Sequence, residues 1–430
     1  MGGWLLLVLI LFMLIGMPIS FAMGVTALIG FVLLDKLDFL SVIPQTMFAG
    51  LNSFPILAMP FFILAGEIMN RTQITNRLMR LGDVLVGWIR GGLGHAYVVA
   101  SVIVSGISGS AVADASALGP LLIPAMTQAG YKKSYAAALV AASAVIGPVI
   151  PPSIIMVIYG ALMNVSIAGM FAAGIIPGLL IGGGLMAVNY AIAKRRNYPR
   201  SEVPRLRDVG ASLVASTPAL IMPLIILGGI LGGVFTPTEA AAVAVLYALL
   251  VGFGFYRTLT LRDVYASVVA SFRTCGVVMV ILAAGSVLAW LFAIDHVPEQ
   301  LAAFFTTLGG DNRYLILLIL NVFLILVGMF MDITAALIIL APVLAPVAVK
   351  VGVDPLHFGV MMCINLSIGL ITPPVGACLF VAASISKLKY EEVIREVWPF
   401  IIVEVVVLLM LIYIPGLTMA VPRLLGLAAP

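Results

Sequence analysis

The chain is predicted to be an all-α polytopic membrane protein built from two inverted-topology repeats, each holding a re-entrant hairpin and a broken transmembrane helix. Three observations point there. Hydrophobic residues make up 63% of the 430 and charged residues only 9%, with a mean hydropathy of +1.23, whereas a soluble domain carries about a quarter charged residues. The chain also contains itself twice. Ser53-Phe54 returns as Ser271-Phe272, Ile63-Leu64-Ala65 as Ile281-Leu282-Ala283, Asp114 as Asp332 and Pro124 as Pro342, each 218 residues on. Four residues are then added, and Ile146-Gly147…Pro151-Pro152 returns as Ile368-Gly369…Pro373-Pro374, 222 residues on. Apolar halves broken by Gly and Pro at matching places are the pattern of a secondary transporter whose site lies between them.

Apolar runs long enough to cross a bilayer, about 20 residues, are read near 4–15 and 17–34, 54–70, 93–127 as one long broken helix, 167–193, 213–232, 238–256, 275–294, 314–347 as a second broken helix, and 397–415. Residues 134–162 and 356–386 split at Gly147–Pro152 and Gly369–Pro374 into arms too short to cross, and are read as re-entrant hairpins. The first repeat is taken as 1–193 and the second as 213–430. The polar stretch 194–212 becomes a cytoplasmic linker, because this map places all of the 22 Lys and Arg on its side except Lys36, Lys132, Lys133, Arg313 and Arg423. Matching parts of the halves then face opposite ways. The first segment runs past Pro18 with no basic residue before it, unlike a cleavable signal peptide. Cys275, Cys363 and Cys378 read as small core residues, and His95, His296 and His357 are too scattered for a metal site.

A broken helix in lipid leaves carbonyls and amides unpaired, at several kcal/mol each, unless they line a cavity or find a partner. Ser105 and Ser108 put two hydroxyls one turn apart on a Gly-weakened stretch, facing a tip, Gly147 to Pro152, whose prolines lack amide donors. Hydroxyls and carbonyls without thiolate, imidazole or a carboxylate cluster suit a hard monovalent cation such as Na⁺. The second half offers Gly328 and the tip Gly369, Thr372 and Val375, so two similar cation sites are expected. Asp114 and Asp332 lie near mid-span. Each either caps a restarted half-helix, taking amide hydrogens from 116–117 or 334–335, or handles an ion or proton directly. Glu239, after Thr236-Pro237, is expected to cap its helix. No basic residue lies in either tip, so a substrate carboxylate is expected to meet half-helix N-termini, hydroxyls and Na⁺ itself.

Several motifs carry a family resemblance. Gly16-Met17-Pro18, the run from Ser53 to Gly66, Ser108-Gly109-Ser110-Ala111-Val112-Ala113-Asp114, Thr236-Pro237-Thr238-Glu239-Ala240 and the two Pro-Pro tips resemble the large membrane subunit of tripartite ATP-independent periplasmic (TRAP) transporters over nearly the full length. The resemblance implies Na⁺-driven import of organic acids by an elevator-type ion transporter in a bacterial or archaeal cytoplasmic membrane. It implies a small four-helix membrane subunit and a periplasmic substrate-binding protein as partners; the small subunit is not expected to be fused ahead of Trp4. Carried over by motif, one Na⁺ site uses Ser105, Ser108, Gly147, Ile150 and Pro152, and the other Gly328, Gly369, Thr372 and Val375. Ser53, Asp114, Pro151, Asp332, Pro373 and Pro374 are candidates for substrate contact or gating. No cofactor is expected beyond Na⁺ as coupling ion. A stand-alone Na⁺/dicarboxylate symporter is the nearest rival, and an intramembrane aspartyl protease using Asp114 and Asp332 the rival from another class.

Overall fold

The computed structural model describes residues 2–72, 74–309 and 312–428, and among these every regular element is a helix. The first half runs α1 (Gly2–Leu14), α2 (Ile19–Leu33), α3 (Ile43–Leu51), α4 (Ala58–Arg71), α5 (Ile74–Val86), α6 (Gly92–Ser108), α7 (Ala111–Gln128), α8 (Lys133–Ala144), α9 (Ile154–Met163) and α10 (Ile167–Arg196). The second runs α11 (Leu206–Leu231), α12 (Pro237–Leu250), α13 (Leu261–Ile294), α14 (Val297–Gly309), α15 (Arg313–Gly328), α16 (Ile333–Lys350), α17 (Pro355–Gly369), α18 (Ala377–Ser386), α19 (Tyr390–Tyr413) and α20 (Gly416–Leu424). Among the described residues seven segments, α10, α11, α13 and α19 among them, are long and apolar enough to cross a membrane.

Short polar residues start the helices where the chain has no other partner for its free amides. Ser110, Ser153 and Ser166 cap α7, α9 and α10. Glu239 caps as expected: its carboxylate accepts from the Thr236 amide at 2.8 Å while the Thr236 hydroxyl accepts from the Glu239 amide at 3.3 Å. The three cysteines are free and buried.

The halves pack reciprocally. α2 lies on α13 while α12 lies on α4; α7 lies on α18 while α16 lies on α9; α8 pairs with α19 while α17 pairs with α10. Such exchange needs corresponding helices at corresponding places, and the register is clear from their starts. α7 and α16 begin at 111 and 333, and α8 and α17 at 133 and 355, both 222 apart. The extra four residues therefore precede α16 rather than follow it. Pro120 and Pro124 match Pro342 and Pro346, Asp332 matches Ser110, and Asp114 stands opposite Ala336. The pairing of Asp114 with Asp332 is thus corrected.

The broken segments also exchange roles. α10, about 45 Å of continuous helix at 1.5 Å per residue, serves as a ruler. Both ends of the α6–α7 unit sit at its C-terminal end: the Gly91 amide donates to the Pro199 carbonyl at 3.2 Å and the Tyr131 hydroxyl to the same carbonyl at 3.4 Å. Residues 93–127, expected to cross as a broken helix, therefore fold back as a hairpin with its tip at Ser108-Gly109-Ser110. The α8–α9 unit instead runs the length of α10. The Tyr135 hydroxyl donates to Asn189, Ile146 faces Gly182, Ile150 packs on Gly178, Val149 and Met156 reach Gly174, and Gly160 meets Ile167. Residues 134–162, expected to be re-entrant, cross as a broken helix, because the bent stretch between α8 and α9 supplies the length that neither arm has. The second half follows suit. Tyr314, at the start of α15, stacks on Tyr413, and His357, after the end of α16, contacts Thr418, so 314–347 folds back while α17–α18 descends along α19.

Three charges change ends with this correction. Lys132 joins the linker end, where its Nζ and the Arg196 guanidinium both hold Glu396, at 2.8 and 2.7 Å, and Lys133 goes with it. Lys350, at the end of α16, joins the opposite end. With two gained and one lost, 18 of the 22 basic residues lie at the linker end, one more than the sequence map had.

Candidate functional site

The two hairpin tips and the two bends converge at the middle of the molecule. Gly109 turns with φ +62°, and an added Cβ there would stand 2.8 Å from the Pro152 carbonyl oxygen, so backbone meets backbone between the first hairpin and the α8–α9 bend. A Cβ added at Gly147 would stand 2.8 Å from Asp114 Oδ2 and 3.1 Å from the Ala111 amide nitrogen. Ser105, Ser108, Gly147 and Pro152 are brought together as expected, and Pro151 abuts Gly106. Ile150 turns its side chain to Gly178 of α10.

Asp114 is 1% exposed and is held by two hydroxyls: Ser105 Oγ donates to Oδ2 at 3.1 Å, and Ser108 Oγ donates to Oδ1 in a short contact. Its carboxylate does not cap α7, whose first amides are served by Ser110. Here the capping expectation fails, because the acid sits a full turn inside the helix. Each hydroxyl that gives its hydrogen to Asp114 keeps its oxygen lone pairs for another partner, and the proline-lined bend lies beside them. Asp332 does cap: its Oδ1 accepts from the Thr334 amide at 2.8 Å. The two aspartates therefore do different work and do not bond each other, which removes the geometric basis of a protease pair.

The second tip is built of backbone. Gly328 and Gly369 pack face to face, and a Cβ on Gly369 would come within 2.5 to 2.7 Å of Gly328 main-chain atoms. The Thr372 hydroxyl donates to the Ile368 carbonyl at 2.7 Å, and the Val375 carbonyl accepts from the Tyr390 hydroxyl. The last two turns of α15, Val322 to Gly328, contain no hydroxyl, so the halves are not chemically equivalent. Instead Asn365 Nδ2 donates to the Asn321 side chain and carbonyl at 2.8 and 2.9 Å, pinning α17 to α15. Pro373 and Pro374 lie in the α17–α18 bend, where the Pro374 carbonyl accepts from Tyr390 at 3.0 Å.

A cavity of about 610 Å³ opens between the halves. Its walls are the first tip (Ser108 to Ala113), the start of α9 (Ile154, Ile155), the start of α16 (Asp332 to Thr334), and α4 and α13, which meet it with the repeat-related Ile63 and Ile281. Pro148 and Leu370, again 222 apart, close it from the bends. Three helix N-termini thus line one space, and the amides their caps leave unbonded favour an anion there; at α16 the Asp332 carboxylate already takes one of them, and the start of α18 is not part of this wall. Among the described residues no Lys or Arg lines the cavity. Ser53 lies away from it, at the turn before α4. Sequence reasoning missed Glu67, Asn70 and Thr274, which do line it. Glu67 and Asn70, three apart in a helix otherwise apolar up to its terminal Arg71, were the available signal.

Comparison with known proteins shows the family. The family model described as "Tripartite ATP-independent periplasmic transporter, DctM component" matches residues 6–417. The chain is 41% identical over 409 residues to a sialic acid TRAP transporter large permease protein of Vibrio cholerae, covering 95% of each. It is 41% identical over 403 residues to a 2,3-diketo-L-gulonate TRAP transporter large permease protein of Escherichia coli, covering 94% of each. In fold it resembles the YdaH transporter of Alcanivorax borkumensis, with a TM-score of 0.65 over 88% of each chain at 15% identity. A matching family model, the repeated helical architecture and the cavity between its halves converge: the chain belongs to the DctM-component family of tripartite ATP-independent periplasmic transporters, a family of multi-pass membrane permeases and not of enzymes.

Proposed function

We propose that this permease is a Na⁺-coupled secondary transporter that imports organic acids delivered by a periplasmic binding protein, working with a small four-helix membrane subunit in a bacterial or archaeal cytoplasmic membrane. The observation that carries the reading is the cavity, walled by three helix N-termini beside a bend whose carbonyls and hydroxyls suit a monovalent cation. The substrates in the names of the two relatives, sialic acid and 2,3-diketo-L-gulonate, are both organic acids. Na⁺ at the Ser105–Ser108–Pro152 site would supply positive charge that no side chain at the cavity provides. Gly328, Gly369, Thr372 and Val375 form the second candidate site. The repeats 1–193 and 213–430 are inverted in this reading, and hairpins and bends move as an elevator against a scaffold of the remaining helices.

Uptake into proteoliposomes of N-acetylneuraminate, 2,3-diketogulonate and succinate tests it. Accumulation should require an inward Na⁺ gradient together with the small subunit and a binding protein. Equal uptake without Na⁺ would overturn the coupling, and full uptake by the chain alone would favour the stand-alone symporter.

Sidedness has its own check. Cysteines replacing Lys133 and Asn197 should be labelled only from the cytoplasm, and those replacing Asn164 and Lys350 only from outside. Labelling of positions 133 and 164 from the same face would contradict the crossing of α8–α9.

A further inference from the structure

Glu404 is fully buried in the middle of α19, and neither of its carboxylate oxygens has a hydrogen-bond partner. Its neighbour Val403 packs on Gly184, about halfway along α10, which places the acid at mid-depth. Burial with no partner sets it apart from the other buried acids, since Asp114 has two hydroxyls and Glu396 two cations. An ionised carboxylate in such a place would cost many kcal/mol.

Nothing charged comes to its aid from the surrounding helices. Lys132, just before α8, and Arg196 of α10 are engaged with Glu396, two turns nearer the linker end, where Tyr135 packs on Phe400. At the other end of α19, Tyr314 of α15 stacks on Tyr413 and His357 of α17 contacts Thr418 of α20, whose Arg423 is exposed. Cys363 of α17 is buried, and Cys378 of α18 is a thiol within electrostatic reach. A metal ion would need several oxygen ligands around it; the proton is the one cation that needs none.

We propose that Glu404 is a proton-binding site within the bundle that carries both candidate Na⁺ sites. The step is simple protonation: an oxygen of the carboxylate takes up H⁺ from the acid present in solution when the group is buried among α8, α18 and α19, and releases it to solution whenever the site is hydrated. This deepens the transport reading and rests on it for its consequence, which is that uptake responds to pH. Because the buried, packed state binds the proton, it is favoured at low pH and lost as pH rises.

Infrared spectroscopy of the purified chain is the direct test, and it needs no substrate. The carbonyl stretch of a protonated carboxylic acid should be present in the wild type near neutral pH and should appear in the difference spectrum against Glu404→Gln, which lacks the acid. In proteoliposomes carrying any acid of the panel above, wild-type uptake should fall with rising pH, by up to about tenfold per unit for one proton, and Glu404→Gln should flatten that dependence. Absence of the band in the wild type, or an unchanged band or pH profile in Glu404→Gln, would overturn the proposal. If Glu404→Gln does not accumulate, Glu404→Asp, which keeps an acid at the position, takes its place: its band should shift in frequency from that of the wild type, and an unshifted band would overturn the proposal. If no acid is carried, the transport reading fails while the infrared result stands.

Discussion

Asp114→Ala will weaken Na⁺ dependence of uptake by about ten- to a hundredfold, the largest effect expected of any single side chain here. The carboxylate fixes both Ser105 and Ser108, and hydrogen bonds to a charged group contribute about 1.5–3 kcal/mol each. Without it the hydroxyls turn to their own helix, and their oxygens no longer face the Gly147–Pro152 bend. A tenfold change is about 1.4 kcal/mol, so losing the orientation of one hydroxyl is enough for the lower bound. Asp114→Asn keeps the shape and one acceptor oxygen, and Ser108→Ala removes one hydroxyl; both should fall in between. Thr372→Ala removes one hydroxyl at the second site, whose oxygen keeps its lone pairs while it donates to Ile368, and should have an effect similar to that of Ser108→Ala. Thr217→Ala, at an exposed hydroxyl bound to its own helix, is the control. Uptake measured against Na⁺ concentration reads the series, and a wild-type Na⁺ curve for Asp114→Ala would end this account of the first site.

Gly369→Ala will abolish uptake while leaving the chain in the membrane. Its Cβ would press on the backbone of Gly328 at 2.5 Å, and backbone at a hairpin tip cannot rotate away as a side chain can. Forcing atoms into a packed contact costs about 1–3 kcal/mol, which here falls on the docking of one tip rather than on the whole fold. Gly328→Ala, whose Cβ would meet Gly369 Cα at 3.2 Å, should be milder, and Gly276→Ala, with open space around it, silent. Uptake and melting temperature of the three variants should follow that order. Equal activity in Gly369→Ala and Gly276→Ala would show that the tip contact is not needed for transport.

Much of this was readable without coordinates. Composition and run length together require helices in a bilayer: only helices and closed barrels satisfy the backbone there, and continuous apolar runs of about 20 residues fit helices and not alternating barrel strands. The repeats told where the breaks fall, because Gly and Pro act locally on the chain that contains them. Ser105, Ser108, Gly147 and Pro152 were legible as a group for the same reason, and so was the Thr236–Glu239 cap.

What the sequence could not settle is which way each broken segment turns. Two short apolar arms around a Pro-Pro bend look alike whether they return or continue; the difference lies in what they pack against, and here α10 holds α8–α9 straight along its length while Tyr131 and Gly91 bring α6–α7 back to Pro199. The same holds for the aspartates. A match of letters 218 apart suggested that Asp114 and Asp332 were equivalents, yet one faces two hydroxyls inside its helix and the other caps a helix start. Local chemistry determines the breaks, and long-range packing, which a linear pattern does not contain, decides their direction and their partners.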